Sequence, residues 1–206
     1  PCPGRLPRVP REVDGGEGVA GVREIQSSPD PHGEHLASLA QLTPEALAPF
    51  RIPQPARPLG DPAPLSYLLD AADQAQGALD ITLDVLIETP GLKAKGLPPH
   101  RLSRGSSSDL YWTFAQLVAH HTSGGCNLAP GDLLGTGTIS GPMPDSYGSL
   151  LELSQGGKAP LTLASGEERR FLEDGDTVIL TGRATREGFV SIGFGACRGT
   201  ILPALG

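Results

Sequence analysis

Two neighbouring histidines, His120 and His121, are the first residues that suggest chemistry, because imidazoles bind metals and act as general bases. They close a segment with helical periodicity, where adjacent side chains point about 100° apart. The pair therefore cannot face one site together. We expect both in the last turn of a helix, near the negative end of its dipole. The cysteines Cys2, Cys126 and Cys197 lack metal-binding spacing, and we expect the latter two to be small buried residues.

A glutamate and a threonine lie in segments that could form part of a site. Glu152 stands between Leu151 and Leu153 in a segment that we read as a strand, where a lone glutamate usually faces solvent. Thr138 lies in a Gly-Thr-Ile-Ser-Gly segment, whose glycines permit close approach of a ligand. An ordinary glycine-rich turn has the same pattern. The alternating Glu-x-Glu spacing, which places two cation ligands on one face of a strand, does not occur in the sequence.

The front of the chain differs in composition from the back. Residues 1–40 scatter Pro, Gly and Arg without a period of 2 or 3.6, which predicts a poorly ordered leader. A short helix is expected from Thr43, with the threonine as N-cap and a proline in the first turn. The stretch from 51 to 64 carries five prolines and is expected to be an extended connector.

Regular periodicity begins with the alternating apolar and polar residues of 79–88, which predict a half-buried strand. A helix is expected from Leu110 to about His121, capped by the Ser-Ser-Ser-Asp segment before it. From Cys126 onward the pattern is of turns and short strands. We place strands at 133–139, 150–153, 161–163, 170–172, 177–182, 189–194 and 200–205. The fold class expected is mainly β with few short helices, an incomplete mixed β-sandwich or roll.

Composition excludes several functional classes. The net charge of −7 and the pI of about 5.2 disfavour a nucleic-acid partner, which normally meets a basic patch. We see no apolar window of 18 residues, so we expect no membrane span, and no apolar segment follows the basic N-terminus as in a secretory signal. The sparse, odd number of cysteines favours a reducing compartment, and we expect the cytoplasm.

Four segments form a specific combination when they are taken in order. The first is Asp-Leu-Tyr-Trp-Thr-Phe from 109 with Gly-Cys-Asn-Leu from 125, and the second is Pro-Gly-Asp-Leu-Leu from 130 with Gly-Thr-Ile-Ser-Gly-Pro from 137. The third is Gly-Ser-Leu-Leu-Glu-Leu-Ser from 148, and the fourth is Phe-Leu from 171 with Asp-Gly-Asp from 174, Ile-Gly-Phe-Gly from 192 and Leu-Pro-Ala-Leu from 202. In this order they resemble the fumarylacetoacetase (fumarylacetoacetate hydrolase) family over about 109–206, and a weaker match at 45–50 and 65–68 extends the resemblance back to about 41.

The resemblance implies an activity and a fold. It implies the C-terminal part of a fumarylacetoacetase-type catalytic domain. The expected reaction is hydrolysis of the carbon–carbon bond of fumarylacetoacetate to fumarate and acetoacetate, in tyrosine and phenylalanine catabolism. The family uses Ca²⁺ or Mg²⁺ to polarise the diketone and a histidine, held by a glutamate, to take a proton from water. A homodimer and a small-molecule substrate are implied as well.

The resemblance also assigns roles to four residues. Glu152 matches the glutamate that orients the family's histidine, and Thr138 matches the threonine that hydrogen-bonds the substrate carboxylate. In the segment Val-Arg-Glu-Ile-Gln, Arg23 and Gln26 match the pair that stabilises the oxyanion. The metal-binding aspartate of that segment would fall on Val19, which cannot coordinate a cation.

The histidine and the metal carboxylates of the family have no counterpart in this sequence, so we predict no metal ligand and leave the enzyme assignment open. One hypothesis is a hydrolase acting on carbon–carbon bonds in ketonic substances; the other is a truncated, catalytically inactive remnant of it. A decarboxylase or hydratase of the same superfold is a third. If residues 32–37 are assigned GC-rich codons and those codons are read one base later, the translated segment resembles the family. This suggests the hypothesis that the leader, 1–40, is out of frame. The rest of the chain, 41–206, is then expected to be a partial catalytic domain.

Overall fold

The computed structural model describes residues 44–204. The predicted leader, with Arg23 and Gln26, lies outside these described residues. The helices are α1 Pro44–Leu47, α2 Ala71–Gln76, α3 Pro90–Ala94, α4 Phe114–Ser123 and α5 Leu150–Leu153. The strands are β1 Arg51–Ile52, β2 Ala78–Leu79, β3 Thr82–Glu88, β4 His100–Ser106, β5 Leu161–Thr162, β6 Glu168–Arg169, β7 Thr177–Ala184 and β8 Ile192–Thr200.

A four-stranded sheet in the order β4-β3-β7-β8 forms the centre of the described region. Its strand pairs are antiparallel, and Val85 of β3 lies opposite Ser103 of β4 and Leu180 of β7. Strands β1 with β2 and β5 with β6 form two further antiparallel pairs. Among the described residues the sheets are open, and the expected class, mainly β with few short helices, is confirmed.

Helix α4 begins four residues later than the expected start at Leu110. Thr113 is its N-cap and accepts a hydrogen bond from the backbone nitrogen of Gln116 at 3.1 Å, while the Gln116 amide oxygen accepts from the Thr113 nitrogen at 3.0 Å. This reciprocal capping box satisfies two backbone donors. The helix is therefore capped by Thr113 and not by the Ser-Ser-Ser-Asp segment that the sequence predicted. His120 and His121 do lie in the last turn of the helix, as predicted.

Four expected strands are wrong, one of them 170–172, which follows the end of β6 at Arg169 and forms no strand. Residues 133–139 have no regular secondary structure, residues 150–153 form helix α5, and the chain beyond Thr200 leaves the sheet. Ser149 caps α5 by accepting from the backbone nitrogen of Glu152 at 3.2 Å, which favours a helical turn over an extended conformation. The turn that follows β5 and the start of β7 at Thr177 were predicted correctly, whereas β8 begins at Ile192, three residues later than expected.

The apolar core lies beside the central sheet, where Phe50, Ile81 and Ala184 are buried against Leu79, Leu83 and Ile192. Burying side chains of this kind stabilises the fold by roughly 1.5–3 kcal/mol each. Cys197, which we expected to be buried, is exposed on β8. Cys197 lies opposite Leu180, which is itself 47% exposed, so the face of the sheet that carries both side chains is open at this point within residues 44–204. Strand β8 also lies at the margin of the four-stranded sheet, with one side unpaired within the same residues.

A network of charged side chains lies between β6 and the turn before β7. Arg169 donates from Nε to Asp176 at 2.8 Å and from Nη2 to the other carboxylate oxygen at 3.0 Å. Asp176 is fully buried and Arg169 is 6% exposed. Glu167 and Glu173 each lie 3.3 Å from the same guanidinium. This bidentate pair fastens the β5–β6 hairpin to the start of β7.

Acid should weaken this network through Glu167. Hydrogen bonds from Ser165 and Thr89, with the charge of Arg169, lower the pKa of the Glu167 carboxyl. Its folded-state pKa therefore lies below the unfolded value of about 4.3. The stability that it contributes is present above that unfolded value and is lost as pH falls through the folded pKa.

We therefore expect Glu167→Gln to flatten the fall in urea midpoint below about pH 4.3. Glu168→Gln is the matched control, because the adjacent Glu168 side chain is exposed on β6. Equal acid sensitivity in the wild type and both variants would contradict the assignment of this effect to Glu167.

The outer margin of β8 should promote self-association, since an unpaired edge strand invites pairing with another chain. We expect Cys197→Lys, which adds a charge on this strand, to increase the soluble fraction of the expressed chain. Val190→Lys replaces an 85% exposed apolar residue outside the strands and is the control. Size-exclusion chromatography and sedimentation of lysates measure the effect. An equal gain in both variants would assign it to charge alone.

Candidate active site

Glu152 lies on the first turn of α5, with its side chain exposed. Ser140 donates to both carboxylate oxygens, at 3.0 Å to Oε1 and 2.8 Å to Oε2, and Ser149 donates to Oε2 at 2.8 Å. The hydrogen bond from Ser140, followed by that from Ser149, lowers the pKa of the Glu152 carboxyl. The carboxylate is therefore charged at neutral pH and able to accept a further hydrogen bond.

Thr138 lies on the irregular loop that passes against the turn before α5. A Cβ on Gly148 would stand 2.1 Å from the carbonyl oxygen of Ile139 and 2.7 Å from Cγ2 of Thr138, so this contact requires glycine. Ser140 then accepts from the Gly148 nitrogen at 3.0 Å. The structure thus brings Thr138 and Glu152 to adjacent segments, with both side chains exposed.

An apolar groove of about 190 Å³ borders these segments. Gly148 and Ser149 line one side, and the sheet residues Val85, Val178 and Leu180 line the other. The groove therefore lies between the apolar surface of the sheet and α5, the helix that carries the charged Glu152 carboxylate.

The other sequence candidates lie elsewhere. The Tyr67 hydroxyl is 2.9 Å from Nδ1 of His120, and the two rings stack with centroids 6.3 Å apart. Glu167 faces Thr89 and Arg169 in the network described above. The matched positions Arg23 and Gln26 lie outside the described residues.

A divalent cation does not fit the residues around Glu152. Calcium takes six to eight oxygen ligands, and magnesium binds through carboxylates in near-octahedral geometry. The Glu152 carboxylate is already engaged by two hydroxyls. Within residues 44–204 no group of three or more His, Cys, Asp or Glu side chains is arranged to hold a metal. The described site can therefore accept and donate hydrogen bonds, but it does not supply a metal centre.

Sequence reasoning missed Ser140 and Ser149. The Ser-x-x-Glu spacing from Ser149 to Glu152 is a helix N-terminus signature that could have been read. The bond from Ser140 joins residues twelve positions apart, on either side of the short 3-10 helix Pro144–Ser146, and has no local signal.

Comparison with known proteins shows the family. The family model described as "Fumarylacetoacetate (FAA) hydrolase C-terminal" matches residues 38–202. The chain belongs to this family. It is 48% identical over 165 residues to the fumarylacetoacetase of Dictyostelium discoideum, and 44% identical over 161 residues to that of Homo sapiens. The fumarylacetoacetase of Arabidopsis thaliana is 45% identical over 163 residues.

These matches cover 78–79% of this fumarylacetoacetate hydrolase family chain but only 36% of each relative. The chain therefore spans about a third of the length of the relatives that it matches. The predicted resemblance to the C-terminal part of fumarylacetoacetase is confirmed. Within the described region no helix is long and apolar enough to cross a membrane.

Proposed function

We propose that this chain forms one wall of the active site of a hydrolase that cleaves fumarylacetoacetate to fumarate and acetoacetate, in tyrosine and phenylalanine catabolism. Three relatives that share 44–48% of the aligned residues bear the name fumarylacetoacetase. The observation that carries the proposal is the charged Glu152 carboxylate, held by two serines next to the Thr138 loop. A carboxylate held this way suits the orientation of a catalytic imidazole.

The proposed role of Glu152 is to accept a hydrogen bond from the far nitrogen of a histidine. This bond fixes the imidazole tautomer and stabilises the imidazolium that forms when the histidine takes a proton from water. The Thr138 hydroxyl donates to a carboxylate of the substrate. Arg23 and Gln26 are proposed, by resemblance alone, to stabilise the oxyanion. Ca²⁺ or Mg²⁺ is also proposed by resemblance, and no step is assigned to it because the residues around Glu152 do not fit it.

A catalytically inactive remnant is the second candidate. The observation that favours it is the lack of a metal-binding side-chain group within residues 44–204. By sequence, the Glu-x-Glu pair that the family uses is missing as well.

The wider setting of the chain is proposed on composition and resemblance. The negative net charge supports a small-molecule substrate rather than a nucleic acid. A homodimer is proposed from the resemblance, and a cytoplasmic location is proposed from the sparse cysteines of the sequence. The division into a leader, 1–40, and a partial catalytic domain, 41–206, likewise remains a prediction.

The decisive experiment follows the absorbance of fumarylacetoacetate with added calcium or magnesium. The chain is tested alone and mixed with the preceding portion of the human fumarylacetoacetase, which lies outside the aligned 36%. Turnover in either sample supports the hydrolase. No turnover in either, with intact human enzyme active in the same buffer, supports the inactive remnant.

A further inference from the structure

We propose that Ser140 is a positioning residue, which holds the Glu152 carboxylate so that Oε1 is the oxygen presented to the histidine. This inference rests on the proposed function. It concerns a residue to which neither the sequence nor the resemblance assigned a role.

The direction of each hydrogen bond at Ser140 follows from its partners. The Gly148 backbone nitrogen can only donate, so the Ser140 oxygen accepts from it at 3.0 Å. The carboxylate of Glu152 can only accept, so the one hydroxyl proton of Ser140 points to it. Both capacities of the hydroxyl are therefore used within a single fixed geometry.

The two carboxylate oxygens of Glu152 are unequally occupied. Oε2 receives bonds from Ser140 and Ser149, both at 2.8 Å, whereas Oε1 receives the longer 3.0 Å contact from Ser140. A carboxylate has about four acceptor positions. Because the Glu152 side chain is exposed, Oε1 keeps the more open acceptor position for an imidazole N–H.

Helix capping alone does not account for this arrangement. Ser149 is the N-cap of α5, and its contact with Glu152 accompanies that cap. Ser140, in contrast, lies on a separate loop, twelve residues before Glu152, and takes no part in the cap. Its bonds join the helix to the loop that carries Thr138, two residues earlier, so one side chain sets the relative placement of both proposed site residues.

The test compares Ser140→Ala and Ser140→Thr with the wild-type chain. The ¹³C signal of the Glu152 carboxyl is followed by NMR through acid titration of the full chain and assigned with Glu152→Gln. The side chains that donate hydrogen bonds to this carboxylate, Ser140 and Ser149, are both neutral. We expect Ser140→Ala to raise the titration midpoint, and Ser140→Thr, which keeps the hydroxyl, to leave it near the wild-type value. Circular dichroism checks that both variants fold.

A second experiment measures kcat and KM for fumarylacetoacetate. It uses whichever sample hydrolyses this substrate, either the chain alone or its mixture with the preceding portion of the human enzyme. We expect Ser140→Ala to lower kcat about 10- to 100-fold, as for a misplaced catalytic group, and Ser140→Thr to restore most of it. An unchanged titration midpoint, or an unchanged kcat, in folded Ser140→Ala overturns the inference. If the Glu152 titration midpoint rises in Ser140→Ala while the wild type shows no turnover, the hydrogen bond from Ser140 to Glu152 is supported. The proposed hydrolase activity is then contradicted.

Discussion

Replacing Asp176 by alanine is expected to lower the free energy of unfolding by about 3–5 kcal/mol. Asp176 is fully buried and accepts two hydrogen bonds from Arg169, which is itself 6% exposed. The variant would leave a buried guanidinium with its two glutamate neighbours and the carbonyl oxygen of Glu168 as its remaining partners. It would also remove the acceptor of the Glu173 backbone nitrogen, at 2.9 Å. Urea unfolding followed by circular dichroism measures the loss.

Two controls separate burial from charge. Glu173 also contacts Arg169, but its side chain is 62% exposed, so Glu173→Ala should change stability by less than about 1 kcal/mol. The double variant Arg169→Met with Asp176→Leu removes both charges and keeps apolar volume, so it should be far less destabilising than Asp176→Ala. A loss from Glu173→Ala as large as that from Asp176→Ala would contradict the role given to the buried pair.

The second large effect concerns catalysis. In the sample that turns over fumarylacetoacetate, Glu152→Gln is expected to lower kcat about 10²- to 10⁴-fold. Glutamine has the same shape, but its neutral amide cannot stabilise an imidazolium. Steady-state kinetics near neutral pH measures the effect.

Glu168→Gln is the matched control, since it removes an equal charge from an exposed position on β6. A kcat within a few-fold of wild type for Glu152→Gln would remove Glu152 from the mechanism. The loss should appear mainly in kcat, because the proposed bond gains strength only when the histidine becomes charged.

Local patterns predicted those elements whose side chains carry a clear period or turn. The alternation before Glu88 predicted β3, and the Asp-Gly-Asp turn predicted the start of β7 at Thr177. Helix α5 was missed because its four residues are too few to show a 3.6-residue period, and capping by Ser149 decides its conformation. For α4, the serine run and Thr113 are both possible N-caps. The pair of hydrogen bonds between Thr113 and Gln116 shows that Thr113 is the cap.

The candidate site was less predictable from the residues. Glu152 and Thr138 were singled out through the family resemblance, since a lone glutamate in an apolar stretch more often faces solvent. The hydrogen bond from Ser140 depends on how an irregular loop packs on Gly148. Such long-range contacts leave no trace in local spacing. The exposure of Cys197 similarly depends on which face of the assembled sheet is covered, which the pattern of one strand does not reveal.

The order of strands in the central sheet also bears on how the chain folds. Strands β3 and β4 are close in sequence, as are β7 and β8, so each pair can form early as a local unit. The pairing of β3 with β7 instead joins Glu88 to Thr177 and must close the long intervening segment. Closing such a loop costs entropy before its contacts form. Docking of the two preformed strand pairs is therefore expected to be the slow step of folding.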